Sequence, residues 1–297
     1  MRIKTELTEL LGIDYPIIGA PMFLVSYEEY AIAISQSGAL GTFPLPNYGT
    51  IEELKTALRI IRQATEKPIG VNIHLHGRFP WKEQLAICLD AGVTFFISSL
   101  GDPSLILDDV HANGGIVYVD VIKLKQGLRA RDRGADGLIA VAAGAGGHCG
   151  FLPTLVMVPF LSEKTGLPII AAGGVSTGQQ MAAALAVGAC GVVVGTRLIA
   201  CTEAQASDEY KQAVLEAGPE DIITTAEVTG NPATWLKRSI EDLKERPELS
   251  SKRWRDLWSA GLSVAQTDEI KSAREIILEM VTDYQQAYQV LGQTIQE

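Results

Sequence analysis

The chain has 297 residues, 47% of them hydrophobic, with 25 basic and 35 acidic side chains and a net charge of −10. That is enough apolar material for one barrel-sized domain or two small ones, and too little charge for a disordered chain. An acidic chain with a pI near 5.0 and no basic cluster is a poor match for nucleic acid or an anionic membrane. It can still bind a phosphorylated cofactor through loop amides.

The first sixteen residues alternate charged and apolar side chains and lack the apolar stretch of a signal peptide. Cys88, Cys149, Cys190 and Cys201 form no CxxC pair, so a cytoplasmic protein with reduced thiols is expected. Short apolar runs then recur along the chain: Pro16 to Ala20, Ala39 to Phe43, Pro68 to Val71, Thr94 to Ser98, Ile116 to Val119, Gly137 to Val141, Pro168 to Ala172 and Gly191 to Val194. Segments with helical spacing separate them. Ser26 with Glu29, and Thr50 with Glu53, read as capping boxes. Asp102-Pro103 opens a helix with proline in its first turn. Trp81 to Ala91, Lys123 to Arg133, Pro153 to Lys164 and Ser176 to Val187 complete the set, and glycines such as Gly38, Gly92, Gly134, Gly166 and Gly188 close helices.

From Leu167 to Thr196 no residue is charged. Gly173-Gly174 and the polar run from Ser176 to Gln180 interrupt this stretch, so it reads as two buried parallel strands around a helix, not as a membrane span. Eight strand–helix repeats predict an α/β fold, a closed (β/α)₈ TIM barrel, in place of an open sheet. After the eighth run the chain becomes charge-rich and holds Trp235, Trp254 and Trp258, which predicts a small helical excursion able to act as a lid. Residues 1–204 are then the barrel, 205–262 the excursion, and 263–297 a segment whose amphipathic helix from Asp268 to Gln289 packs back on the barrel.

In such barrels chemistry sits at the C-terminal ends of the strands. The seventh run exits through Ala172-Gly173-Gly174 and the eighth through Gly195-Thr196, both leading into helices. Glycine lets backbone amides approach an anion, and these two loops are the usual phosphate position. Flavin mononucleotide, a sugar phosphate or pyridoxal phosphate would each suit that cradle. No strand end offers the lysine that pyridoxal phosphate needs, since Lys123 lies four residues past Val119.

The sixth run exits through Ala142-Ala143-Gly144-Ala145-Gly146-Gly147-His148-Cys149-Gly150. Small residues let this backbone lie flat against a planar ligand, and His148 is placed to serve as a general base or acid. Cys149 reads as a small apolar filler. His74 and His76 follow the third run on one face of an extended segment. With no third ligand nearby a metal is not expected, and with Arg78 they are candidates for lining the substrate entrance.

These motifs, together with Gly19-Ala20-Pro21-Met22, Gly70-Val71-Asn72 and Trp258-Ser259-Ala260-Gly261, resemble those of the nitronate monooxygenase family, long called 2-nitropropane dioxygenases, and of its relative, the FMN-dependent enoyl-ACP reductase II. The resemblance spans most of the chain. It implies an FMN barrel in which Ala20, Pro21 and Met22 lie by the flavin ring and Asn72 and Asp120 make polar contacts to it. Gly146 and Gly147 would lie at the ring, Ala172, Gly173, Gly174, Gly195 and Thr196 would hold the phosphate, and His148 would be catalytic. The implied activity is oxidation of an alkyl nitronate with O₂ to a carbonyl compound and nitrite. An NAD(P)H-dependent FMN reductase acting on an enoyl thioester or quinone is the alternative, and a flavin-binding accessory protein without turnover or a flavin-free isomerase are more distant ones. The segment after the eighth run is shorter than in that family, and His74 to Arg78 is not a standard motif of it; both lie in the substrate region, so the resemblance implies the cofactor more firmly than the substrate. A homo-oligomer is compatible with all of these readings.

Overall fold

In the computed structural model, residues 2–75, 79–228, 230–245 and 257–293 are described. Eight parallel strands form the barrel: β1 (Ile17–Gly19), β2 (Gly41–Pro44), β3 (Ile69–His74), β4 (Phe95–Ser99), β5 (Ile116–Val121), β6 (Gly137–Val141), β8 (Ile169–Ala172) and β9 (Gly191–Val194). Hydrogen bonding runs in the order β1-β9-β8-β6-β5-β4-β3-β2. The last seam is closed just ahead of β2, where Gly19 N–H donates to the Leu40 carbonyl and Leu40 N–H to that of Ile17, each at 2.9 Å. The expected (β/α)₈ barrel is the observed one, with each apolar run within a few residues of its strand.

Period-two alternation divides each strand between two cores. Ile18, Leu40, Phe95, Ile97, Tyr118, Ile139 and Ile170 fill the barrel interior, and Leu7 and Leu11 of the N-terminal helix Glu6–Leu11 join them. A Cβ on Gly191, the first residue of β9, would lie 2.4 Å from Leu7 Cδ2. The helix therefore plugs the N-terminal end of the barrel and leaves the C-terminal mouth to the loops. The opposite strand faces pack under the surrounding helices.

The Thr50–Glu53 capping box forms, with Glu53 N–H donating to Thr50 Oγ1 at 3.2 Å and Thr50 N–H to Glu53 Oε2 at 3.1 Å. The Ser26–Glu29 box does not. Helix Glu28–Gln36 has Tyr27 at its N-cap with no side-chain cap, because the Ser26 hydroxyl is engaged with the backbone of Met22. The uncharged stretch after Leu167 forms β8, helix Gly178–Ala186 and β9. Among the described residues no helix is long and apolar enough to cross a membrane.

After β9 the chain forms helices Thr196–Ile199, Asp208–Glu216 and Lys237–Glu245. It also forms a hairpin that the sequence reading did not contain: β10 (Ile222–Thr225) pairs antiparallel with β11 (Ala233–Leu236). β11 pairs on its other edge with β7 (Gly147–His148), matching Ala233 with His148 and Thr234 with Gly147. Ala233, Trp235, Ile240 and Leu257 make a small core of their own. Trp258 stacks on Tyr210 with ring centroids 5.4 Å apart; Trp254 lies outside the described residues. Helix Ala273–Gln293 returns to the barrel and packs so tightly on Gly178 that a Cβ there would sit 2.0 Å from the Met280 carbonyl oxygen.

Candidate active site

The loop after β1 is fixed from several sides. Ala20 N–H donates to the Val194 carbonyl at 2.9 Å, and the Ala20 carbonyl accepts from Tyr30 Oη at 3.2 Å. Met22 N–H donates to Ser26 Oγ at 2.6 Å. Leu24, at φ +60°, donates its N–H to Asn47 Oδ1 at 2.8 Å. A Cβ built on Gly195 would lie 3.4 Å from Ala20 Cβ and 3.9 Å from Met22 Sδ. The β1 and β9 exits thus meet, with Pro21 between Ala20 and Met22.

On the opposite wall, Asn72, Ser99 and Asp120 from three adjacent strands form one chain. Asn72 Nδ2 donates to the Ile97 carbonyl at 3.0 Å and to Ser99 Oγ at 2.7 Å. Ser99 Oγ donates to Asp120 Oδ2 at 2.5 Å. Burial pushes the Asp120 carboxyl up to about 6, against the lowering effect of the Ser99 hydrogen bond. His74 ends β3 two residues past Asn72, so both are on the strand face toward the barrel axis; its ring meets Phe79 edge-on at 5.7 Å. His76 and Arg78 lie outside the described residues.

The third wall is the glycine-rich loop after β6. Gly144 (φ +95°) and Gly147 (φ +73°) adopt left-handed backbone that side chains disfavour. A Cβ on Gly144 would come 3.6 Å from Gly174 N, and one on Gly173 (φ +110°) would meet the Ala142 carbonyl oxygen and Ala145 N at 2.9 Å. The loops after β6 and β8 are therefore in contact. Thr154 Oγ1 secures the second by donating to the Gly173 carbonyl at 2.6 Å, while a Cβ on Gly174 would enter open space.

The segment Ala260-Gly261 latches these loops to β9. Gly261 N–H donates to Thr196 Oγ1 and Leu262 N–H to the Gly144 carbonyl, each at 2.9 Å. A Cβ on Gly261 would lie 2.2 Å from that Gly144 oxygen. Behind the β8 and β9 exits, Arg197 donates to the Ser176 carbonyl and to Glu279 Oε2 of the last helix, both at 2.6 Å.

His148 is half-buried in β7, and desolvation lowers its pKa from the ordinary histidine value. The neighbouring Cys149 thiol is buried and shifted upward by that burial, unlike an activated thiolate. The structure thus gathers the β1, β6, β8 and β9 exit residues around one mouth, with Asn72 and Asp120 on the facing strands. Sequence reading missed Ser99, Thr234 and Asn47. Ser99 carried a usable signal, a polar residue at the C-terminal end of an apolar barrel strand; Thr234 and Asn47 carried none.

A family model described as nitronate monooxygenase matches residues 4–79 and 74–252. The chain belongs to the nitronate monooxygenase family. Members of it are oxidoreductases, and this chain is one, acting on a small molecule. It is 30% identical to the (3aS,4S,5R,7aS)-5-hydroxy-7a-methyl-1-oxo-octahydro-1H-indene-4-carboxyl-CoA dehydrogenase of Mycobacterium tuberculosis, over 82% of this chain and 69% of that one. It is also 30% identical to a nitronate monooxygenase of Pseudomonas aeruginosa, over 75% and 76% of the two chains. Among solved structures, FabK from Thermotoga maritima superposes with a TM-score of 0.86 at 29% identity, covering 99% of this chain and 100% of that one. The nitroalkane oxidase of Streptomyces ansochromogenes shares the fold, with a TM-score of 0.83 at 23% identity over 96% and 99% of the chains.

Proposed function

We propose that this chain is an FMN-dependent enzyme that oxidises alkyl nitronates, with His148 as its proton acceptor. The observation that carries the reading is the position of His148: a half-buried imidazole with a lowered pKa, held on a paired strand beside the glycine loops of the mouth. Burial keeps the ring neutral near pH 7, the form a general base requires.

The mouth suits FMN on its own chemistry. Gly173 is closed in by the neighbouring loop while Gly174 borders open space at φ +71°, which suits a phosphate received by backbone amides. With Ala172, Gly195 and Thr196 these residues would hold the phosphate. Asn72 spends both amide protons on Ile97 and Ser99, leaving Oδ1 for a donor such as the flavin imide. Ala20, Pro21, Met22, Gly146 and Gly147 would border the ring and Asp120 would support Asn72. Bound FMN would supply the redox chemistry, taking electrons from the nitronate and passing them to O₂.

The protein's own part is to bind, orient and move one proton. His148 would take the α-proton of a neutral nitroalkane, or orient the anion already formed. Residues 205–262 would act as a lid on the 1–204 barrel, with 263–297 bracing it, and His74, His76 and Arg78 would line the substrate entrance. The test is His148→Asn. Turnover of a neutral nitroalkane should fall by about 10²-fold or more, with flavin content unchanged and a preformed nitronate far less affected. Full activity on the neutral nitroalkane refutes the base.

A second reading rests on the end-to-end match to FabK and on the indene-carboxyl-CoA dehydrogenase among the relatives. In it the same mouth would accept hydride from NAD(P)H and act on an enoyl thioester or a quinone. His148 would then serve as a proton donor or orienting group.

A further inference from the structure

Thr234 comes from the excursion, eighty-six residues beyond His148, yet its side chain is buried at 3% exposure against the His148 loop. Its hydroxyl reaches the Ala145 carbonyl and, at 3.2 Å, the Gly147 carbonyl. The Cys149 thiol is within hydrogen-bond reach of the same oxygen. Residues on both sides of His148 are therefore tied to one side chain. The backbone adds to this, since β11 pairs Thr234 with Gly147 and Ala233 with His148.

This arrangement matters because the loop cannot set its own shape. Gly144 and Gly147 both have positive φ, and glycine-rich backbone has many accessible conformations to lose. The direction of the His148 ring follows from the peptide at Gly147, whose carbonyl Thr234 holds. A short isolated two-residue strand has no stability without such a partner.

We propose that Thr234 is the positioning residue for His148, fixing the imidazole by holding the carbonyls of Ala145 and Gly147. The excursion thereby completes the active site in addition to covering it. This rests on the reading of His148 as the proton acceptor, and the experiment separates the two.

Thr234→Val keeps the β-branched shape that suits a strand and removes the hydroxyl. Thr234→Ala removes it with no steric demand, and Thr234→Ser restores it. Two readouts are taken on the protein as isolated: amide exchange at His148, and its ring titration by NMR, assigned among the four histidines with His148→Asn. A third is turnover of a neutral nitroalkane against a preformed nitronate.

Thr234→Val and Thr234→Ala should lose protection at His148 while the barrel strands keep theirs. The His148 titration should move up toward that of a free histidine. Neutral nitroalkane turnover should fall roughly 10- to 100-fold, as a small misplacement of a catalytic group does, with nitronate turnover nearly unchanged and Thr234→Ser close to the parent. Unchanged exchange and titration in both hydroxyl-free variants overturn the proposal whatever the substrate proves to be. If Thr234 variants disturb His148 but His148→Asn retains full turnover, positioning stands and the base assignment falls.

Discussion

Ser99 donates its hydroxyl proton to Asp120 across the ends of β4 and β5. That proton is its only one, so toward Asn72 it can act only as acceptor, and the Asn72 amide is held with its nitrogen inward. Asp120 thereby sets the orientation of a residue two strands away.

The position of Asp120 has a measurable price in stability. Its carboxyl titrates at about 6 against 3.8 ordinarily, so the folded state binds its proton more tightly than the unfolded one. Stability from this group is fully present below pH ~4 and declines as pH rises through 6, by about 3 kcal/mol in total. Asp120→Asn should therefore gain up to about 3 kcal/mol at pH 7 and almost nothing at pH 4 relative to the parent, by urea denaturation. An equal gain at both pH values contradicts the assignment.

His148 behaves in the opposite sense. Burial lowers its pKa, so the charged form is disfavoured in the folded protein and the ring becomes base-competent at a lower pH than a free histidine does. In a profile of kcat/KM for a neutral nitroalkane, the acid limb should bend below the ordinary value near 6.5. An inflection above it would mean that a neighbouring anion, not desolvation, governs the ring.

Gly173 and Gly174 are adjacent but should respond differently to alanine. Gly173→Ala combines positive φ with contacts of 2.9 Å to two backbone atoms, so a loss of about 3 kcal/mol or more is expected. Gly174→Ala meets no atom within 4 Å and should lose only ~1–2 kcal/mol from its backbone, while its methyl enters the space proposed for phosphate. Titration of FMN into flavin-free protein should show weakened binding in Gly174→Ala beyond what its stability accounts for.

Gly261→Ala tests the latch. The added Cβ would stand 2.2 Å from the Gly144 oxygen and 2.7 Å from Gly146 N, so either the loop or residues 260–262 must shift. We expect a loss of about 2–3 kcal/mol together with increased amide exchange at Gly146 to His148. Protection there equal to that of the parent would show that the latch does not hold the loop.

What was legible in the sequence follows from how local each signal is. The barrel strands are buried on both faces, and their apolar runs stand out from the helices between them. The exits of β8 and β9 were legible because glycine marks a backbone requirement in one residue. The hairpin was not: β10 and β11 have four residues each and β7 has two, too few to show a period, and what stabilises β11 is a loop far earlier in the chain. The Ser26–Glu29 pair has the right spacing for a cap, but tertiary structure gives that hydroxyl to Met22. Ser99 is marked only by being polar at the end of an apolar strand, and Thr234 acts through partners on another element that no local pattern records.

The proposed FMN site takes its electrons from a nitronate. The direct measurement is anaerobic mixing of the FMN-loaded protein with an alkyl nitronate and, side by side, with NADH and NADPH, following the flavin absorbance. Rapid bleaching by the nitronate, slow or no bleaching by either nicotinamide, and recovery of colour on admitting O₂ are expected. Rapid bleaching by NADH or NADPH with none by the nitronate would contradict it and establish the reductase reading in its place.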